Sequence, residues 1–166
     1  MRVILPIDVE PYIGAQFDFV SSYNWPEDTE IKVMHVLHSL MIERTMVSSQ
    51  IYIEQIMKDA RKLAQKMALE MVERFKKECP HLKVHDEIRE GDAINEIIRS
   101  ATEWNADMIV MGSHGRQGIG RVILGSVAYS VLAKAPCKTI ILGVPQHKHG
   151  KDCSHESSKV EIKLQN

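Results

Sequence analysis

A glycine-rich segment between residues 111 and 126 holds the residues best suited to bind a ligand. It reads MGSHGRQGIGRVILGS, with five glycines between positions 112 and 125. Glycine tolerates φ > 0 and lets a ligand lie against bare backbone. Gly125 and Ser126 open a predicted helix, whose free amides and positive dipole end favour an anion. The Ser126 hydroxyl can either cap that helix or bond a phosphate oxygen, so the segment predicts a phosphate site.

Two familiar nucleotide motifs do not match this segment. The phosphate-binding loop of many NTPases needs a lysine directly before the Ser or Thr, and no lysine precedes Ser126. The dinucleotide motif G-x-G-x-x-G needs a third glycine after Gly118 and Gly120, but residue 123 is isoleucine. Glycine content alone is also compatible with a tight loop that binds nothing.

Short apolar runs alternate with helical patterns along the chain. Strands are predicted at 3–7, 31–37, 82–88, 108–111 and 138–142, and helices at 13–22, 53–75, 93–104 and 126–134. The fourth strand has no polar position, as is typical of a strand buried on both faces. Strands that alternate with helices predict a three-layer α/β/α domain with an open parallel five-stranded sheet. Residues 40–49 are predicted as a loop or the start of a helix.

The clearest helical pattern has apolar residues at spacings of three and four, which predicts one buried stripe. Its members are Ile53, Ile56, Met57, Ala60, Leu63, Ala64, Met67, Ala68, Met71 and Phe75. Pro80 ends the helix. The many methionines are interpreted as an adaptable core rather than as a groove for a partner.

The place of the glycine-rich segment in the fold matters as much as its composition. Ligands of open α/β sheets bind outside the carboxyl ends of the strands, where the strand order reverses. Strand 1 ends at Asp8 and strand 4 ends at Gly112. If these strands are neighbours, Asp8 faces the glycine segment and the end of strand 2 near Val36 forms one wall. A carboxylate there suits ribose hydroxyls, an adenine amine or a metal ion.

Composition excludes several classes of protein. The chain has 166 residues, 44% of them hydrophobic and 26% charged, and its net charge is −1. This describes one globular domain without the basic excess that predicts nucleic-acid or membrane partners. The longest uncharged stretch, 122–133, is too short to span a bilayer. No signal peptide is recognised at the start, and three scattered cysteines fit a reducing cytoplasm.

The spacing Gly112-x2-Gly115-x9-Gly125-Ser126 resembles the signature of ATP-binding universal stress proteins. The flanking residues resemble that family too, over about residues 1–144. The matching segments are Pro6-x-Asp8, His35-Val36, Glu90-Gly91-Asp92, residues 106–112, and the last helix and turn from Gly125 to Cys137. The resemblance implies a Rossmann-like sheet of the adenine nucleotide alpha hydrolase type, with strand order 3-2-1-4-5. It also implies a homodimer paired through the last strand.

The resemblance further implies ATP in the cleft between strands 1 and 4, with Mg or Mn riding on the phosphates. Asp8 would contact the adenine–ribose part or the metal environment, and Val36 would hydrogen-bond the adenine edge through its backbone. The remaining contacts would come from Pro6 and Ile7 beside the adenine, Met111 and Gly112 at the ribose and phosphates, and His114, Gly115, Gly125, Ser126 and Val127 along the phosphate chain.

Three residues depart from the family pattern or add to it. Glu10 stands where many relatives have a small or hydroxyl residue, and a carboxylate there would repel phosphates unless a metal intervenes or the side chain points away. Arg116 and Arg121 are read either as phosphate partners or as a solvated loop. No residue is assigned as catalytic, and no metal is assigned to protein ligands.

The motif supports nucleotide binding better than turnover. Fast phosphoryl transfer needs positioned cations and an oriented nucleophile, and the motif supplies amides and a helix dipole without an obligatory lysine. His114 is read as a phosphate-bonding or structural residue rather than a base. The predicted function is an ATP-dependent sensor or switch in stress response, acting on an unknown protein partner, with slow or no hydrolysis. The alternatives are a dimeric interaction module that binds no nucleotide, and a weak ATPase or autophosphorylating protein.

Residues 145–166 form a polar extension outside the predicted domain. They carry a spacing of H-x-H-x3-C-x-H at His147, His149, Cys153 and His155. Such residues can bind zinc, nickel or copper, or belong to a solvated tail. Residues 160–164 alternate as an added edge strand would.

Overall fold

The computed structural model describes residues 1–8, 12–38, 47–113 and 124–143. Five strands and four helices alternate along these ranges. In chain order they are β1 (Arg2–Pro6), α1 (Tyr12–Ser22), β2 (Glu30–Leu37), α2 (Val47–Glu78), β3 (Lys83–Glu90), α3 (Ala93–Glu103), β4 (Met108–Gly112), α4 (Ser126–Lys134) and β5 (Lys138–Leu142).

The strands form a parallel sheet in the order β3-β2-β1-β4-β5. This confirms both the predicted fold class and the predicted strand order. Successive side chains of a strand point to opposite faces of the sheet, so β1 contributes to both layers. Leu5 joins the core under α1 and α2, which includes Phe17 and Phe75, whereas Ile4 joins a second core with Ile97 of α3 and Val131 of α4.

The predicted apolar stripe of α2 is only half right. Ala64, Ala68 and Phe75 are buried, but Ile56 and Leu63 are 41% and 59% exposed. Length explains Ile56. A helix of 32 residues is about 48 Å long, whereas the eight-residue strands β2 and β3 are about 26 Å long, so the sheet cannot cover all of α2. Leu63 directly precedes the buried Ala64 and lies at the margin of the buried face, which is narrower than the predicted stripe.

The edges of the sheet differ in character. β3 is rich in charge, with Lys83, Asp86, Glu87, Arg89 and Glu90 along its eight residues. Charged side chains on an edge strand discourage pairing with another chain. β5 is the opposite edge and is mostly buried. No helix within the described ranges is both long and apolar enough to cross a membrane.

Candidate functional site

The strand order reverses between β1 and β4. The chain runs outward from β1 through β2 to β3 on one side, and from β4 to β5 on the other. The predicted neighbourhood of strands 1 and 4 is therefore confirmed. Asp8 and Gly112 lie at the carboxyl ends of these two strands, the position where open α/β sheets form a crevice. Val36 lies at the same edge on β2, two residues beyond Met34, which pairs with Pro6.

Beyond the paired residues of β1 and β4, a side chain joins the two strands at this crevice. The last paired residues of the two strands are Ile4 and Ile109. Beyond them, the Nε2 atom of Gln16 on α1 donates hydrogen bonds to the carbonyl oxygens of Pro6 and Val110, each at 2.9 Å. Gln16 is 1% exposed. The amide therefore stands between the two strands just below the crevice.

The other side of β1 is held by His35 of β2. Its Nδ1 atom lies 2.8 Å from the carbonyl oxygen of Ile7. Because a carbonyl can only accept, the ring N–H at Nδ1 donates this bond. The amide of Ile7 in turn donates to the carbonyl of Met34 at 2.8 Å. These two bonds fix the residue directly before Asp8, which is half-buried.

Tyr12 reaches from the start of α1 to the end of β4. A Cβ atom at Gly112 would lie 2.6 Å from Cγ and 2.7 Å from Cδ1 of the Tyr12 ring. The ring therefore occupies the space that any side chain at residue 112 would need. The Ser113 hydroxyl lies 3.4 Å from the Tyr12 hydroxyl. In this chain, the lack of a side chain at residue 112 is required by Tyr12 itself.

The two ends of the glycine-rich segment meet across the crevice. The amide of Gly125 donates to the carbonyl of Ser113 at 2.8 Å, and the amide of Ser113 donates to Leu142 on β5 at 2.9 Å. Gly125 is the N-cap residue of α4 and provides no side-chain cap. Of the two roles predicted for Ser126, the structure therefore does not show the capping one. The first-turn amides that follow, including those of Ser126 and Val127, have no acceptor within the helix.

The predicted residues differ in what they can offer a ligand. The side chains of Ile7 and Met111 are buried in the two cores, so their backbone is what faces the crevice edge. Gly125, Ser126 and Val127 stand at the start of α4, which the Ser113–Gly125 bond ties to the end of β4. His114, Gly115, Arg116 and Arg121 lie outside the described residues. So do Glu10 and the extension with His147, His149, Cys153 and His155.

Sequence patterns pointed to neither Gln16 nor Tyr12, and they marked His35 only as part of the segment His35-Val36 that resembles the family. One signal was available for Gln16, a polar residue between Ala15 and Phe17 in a mostly apolar helical stretch that follows a proline-containing strand. Nothing in the spacing pointed to Tyr12, whose partner is one hundred residues away in sequence. Among the described residues, no three His, Cys, Asp or Glu side chains are placed to hold a metal ion.

Comparisons with known proteins agree with this architecture. A comparison with protein-family models matches residues 25–143 to the universal stress protein family. The universal stress protein MJ0531 of Methanocaldococcus jannaschii is 35% identical over 94 residues, which are 57% of this chain and 52% of that protein. The chain thus spans about half the length of that relative.

Two further relatives cover most of the chain. The universal stress protein MJ0577 of the same organism is 24% identical over 144 residues, which are 81% of this chain and 89% of that protein. Its solved structure superposes with a TM-score of 0.74, at 21% identity, over 87% of this chain and 96% of that one. The Arabidopsis thaliana protein At3g01520, solved with AMP bound, has a TM-score of 0.53 at 16% identity over 86% and 91%.

Proposed function

The chain belongs to the universal stress protein family, and from this premise we propose that it binds ATP in the crevice between β1 and β4. The observation that carries the proposal is the meeting of three features at one edge. They are the reversal of strand order, the end of β4 at Gly112, and an α4 that begins without a side-chain cap. Exposed helix amides are suited to phosphate oxygens.

The proposed ligand contacts follow the crevice from one wall to the other. The adenine lies against Pro6 and Ile7 and bonds the backbone of Val36, while Asp8 takes the ribose. The phosphates run along Met111 and Gly112 toward the amides of Gly125, Ser126 and Val127. His114, Gly115 and Arg116 complete the phosphate site, and Mg or Mn rides on the phosphates. Mg retains several waters in such sites and needs few protein ligands.

A relative with AMP bound supports the choice of an adenine nucleotide. The Arabidopsis thaliana protein has that ligand and the same fold. ATP and AMP share the adenosine and the first phosphate, so the wall formed by Pro6, Asp8 and Val36 would serve both. The start of α4 would then serve the phosphate chain.

We propose a sensor or switch with slow or no hydrolysis rather than a fast enzyme. Backbone amides and a helix dipole hold a phosphate without orienting a nucleophile against it. Binding would change the population of states that an unknown protein partner recognises. The proposal includes a cytoplasmic location, a homodimer paired through the edge strand β5, and a domain that spans residues 1–144. The polar extension 145–166 would lie outside it.

The test begins with nucleotide that is bound during expression. Freshly purified protein is denatured and the released small molecules are separated by chromatography, alongside a Gly115→Val/Ser126→Ala variant. The matched control is Gly143→Val/Ser21→Ala, since a Cβ at Gly143 meets nothing within 4 Å and Ser21 lies on α1. We expect close to one ATP per subunit in the wild type and control, and none in the site variant.

Mg-ATP titration completes this test. A wild type that carries no nucleotide and takes up no Mg-ATP would overturn the proposal in favour of an interaction module without nucleotide. Turnover of bound ATP that disappears in the site variant would instead support the weak ATPase or autophosphorylating alternative.

A further inference from the structure

We infer that Gln16 is a positioning residue of this nucleotide site, because its side-chain amide replaces a missing backbone hydrogen bond and holds β1 and β4 apart where the ligand enters. The inference rests on the proposed function. It concerns a residue that contacts the strands behind the site and need not touch the ligand.

The first step of the argument is the hydrogen bond that β1 cannot make. Ile4 pairs with Ile109 in the parallel ladder. In that register, the next β1 amide directed at β4 is that of residue 6, and its acceptor would be the carbonyl of Val110. Residue 6 is proline, which has no N–H. Without another donor, a carbonyl in the middle of the sheet would remain buried and unsatisfied, which costs stability.

The second step is that Gln16 supplies this donor and one more. Its Nε2 atom bonds Val110 O and also Pro6 O, both at 2.9 Å. A backbone amide has one hydrogen and could serve only one of these oxygens, whereas the side-chain NH2 group has two. The amide therefore links the strands through an inserted nitrogen atom instead of closing them directly. Because α1 and β4 are in contact, the helix keeps that nitrogen in place.

The third step is the position of this link relative to the proposed site. Pro6 lies two residues before Asp8, and Val110 two residues before Gly112. The link thus lies two residues before Asp8 and Gly112, which stand at the carboxyl ends of β1 and β4. Tyr12, one helical turn before Gln16, packs on Gly112 itself. Two residues on α1, Tyr12 and Gln16, therefore contact the strand ends on either side of the crevice, β1 and β4.

A pair of variants distinguishes a positioning role of Gln16 from a purely structural role, in which affinity for the nucleotide would follow stability. Gln16→Leu places an apolar side chain of similar volume at this position and removes both donors. Pro6→Ala in the Gln16→Leu background returns an N–H to residue 6, so that β1 can bond Val110 O directly. The matched control is Gln65→Leu on the exposed side of α2. Unfolding temperature and the dissociation constants for Mg-ATP and AMP are measured on each full-length protein.

We expect the two measurements to separate. Gln16→Leu should unfold at a lower temperature and bind Mg-ATP roughly tenfold more weakly, which is the lower end of the loss seen when a partner that orients a metal ligand is replaced. The double variant should recover unfolding temperature, because the orphaned carbonyl has a donor again. It should stay weak for Mg-ATP, because the ladder now closes one bond further into the crevice. Pro6→Ala alone, in which Gln16 still supplies its donors, measures what loss of the proline ring itself costs in affinity, and the double variant should be weaker than this single variant. Gln65→Leu should match the wild type in both.

Two results would overturn the inference while leaving ATP binding in place. One is an unchanged dissociation constant in Gln16→Leu. The other is a double variant whose affinity returns together with its unfolding temperature, which is the behaviour of a purely structural glutamine. If the wild type binds neither Mg-ATP nor AMP, the proposed function itself has failed, and that result is read from the wild type alone.

Gln16→Glu provides a second readout if Gln16→Leu does not fold. A protonated carboxyl donates one bond to the two carbonyls, and a carboxylate donates none, so Mg-ATP affinity relative to wild type should fall between pH 5 and pH 8. The titratable side chains nearby, Asp8 after β1, Tyr12 on α1 and His35 on β2, are the same in both proteins, so the ratio to wild type removes their effect. A ratio that does not change with pH would overturn the inference.

Discussion

The two ends of the β1–β4 pair are built in opposite ways. At the amino end, backbone and side chain both close the strands. The amide of Asp107 donates to the carbonyl of Arg2 at 2.9 Å, and the amide of Arg2 donates to the Asp107 carboxylate at 2.7 Å. At the carboxyl end, Pro6 interrupts the ladder and the single side chain of Gln16 bridges the gap.

A cluster around Trp104 reinforces the amino end of the β1–β4 pair, which is called the closed end below; the carboxyl end at Asp8 and Gly112 is called the open end. The Arg2 guanidinium lies 5.7 Å from the centre of the indole ring and donates to the Trp104 carbonyl at 3.0 Å. The buried Lys32 ammonium lies 4.4 Å from the same ring, and His85 meets it edge-on at 5.2 Å. Glu87 pairs with Lys32 at 3.3 Å. At this end several side chains contact the same aromatic ring, whereas at the crevice one side chain, that of Gln16, links the two strands.

This difference indicates that the ligand site at the open end can change in sequence while the contacts at the closed end preserve the fold. The contacts around Trp104 hold the strands together at the closed end. At the open end, the spacing of the strands depends on a few side chains such as Gln16 and Tyr12. We therefore expect substitutions at the closed end to change stability more than binding. Substitutions at the open end should change binding as well.

The largest effect is expected at Trp104. Trp104→Ala removes the ring that Arg2, Lys32 and His85 share, so the free energy of unfolding should fall by about 3 kcal/mol. The dissociation constant for Mg-ATP of the folded protein should remain that of the wild type. Chemical denaturation and calorimetric titration at a temperature below the transition measure the two quantities.

Trp104→Phe is the matched control for this prediction. It keeps an aromatic face for the two cations and should recover most of the lost stability. A Trp104→Ala protein that is as stable as the wild type, or that loses affinity for Mg-ATP while folded, would contradict the contrast between the two ends.

Sequence patterns predict the strands and helices of the fold better than the ligand site. Alternation and helical spacing predicted the existence of all five strands and four helices, with ends within one or two residues for most, because each pattern is local. The exception is α2, which begins at Val47, where the prediction left open a loop or a helix start. The burial of Ile56 and Leu63 was predicted wrongly, because periodicity reveals neither how long the covering sheet is nor how wide the buried face of the helix is.

The site itself was predicted only in outline. The glycine-rich segment and Asp8 follow from motif and strand order, and both come from short stretches of sequence. Gln16 gains its role from a proline ten residues earlier and a carbonyl on β4, and Tyr12 gains its role from Gly112. Such roles depend on tertiary neighbours, which no spacing encodes. The roles of the individual ligand-binding residues stay predictions.

A smaller effect is expected at Gly112. The added methyl of Gly112→Ala would lie 2.6–2.8 Å from the Cβ, Cγ and Cδ1 atoms of Tyr12, so the ring must move. Displacing a packed side chain in this way costs about 1–3 kcal/mol. Because the ring packs on Gly112, which lies on the proposed phosphate path, Mg-ATP affinity should change too. Denaturation and titration of the variant measure both effects.

A double variant sharpens this prediction. Tyr12→Ala in the Gly112→Ala background removes the obstructing ring, so the two substitutions together should cost less than the sum of their separate costs. Gly143→Ala is the matched glycine control, since an added Cβ there meets nothing within 4 Å, and it should leave stability nearly unchanged. Strict additivity of the two substitutions would show that the contact carries no energy.

The smallest effect is expected for the thiol next to Asp107 at the closed end. Burial, with a contribution from the Asp107 charge, raises the pKa of Cys137 to about 11. At pH 8 only about one thiol in a thousand is then ionised, so alkylation should be slow and should accelerate about tenfold per pH unit up to that pKa. Because Cys137 lies at the end away from the crevice, saturating Mg-ATP should leave this rate unchanged. Iodoacetamide labelling with peptide mass spectrometry measures it separately from Cys79 and Cys153. A slower or faster alkylation of Cys137 in the presence of the nucleotide would mean that the crevice and the closed end change conformation together. Stability at the closed end and binding at the crevice would then not be independent.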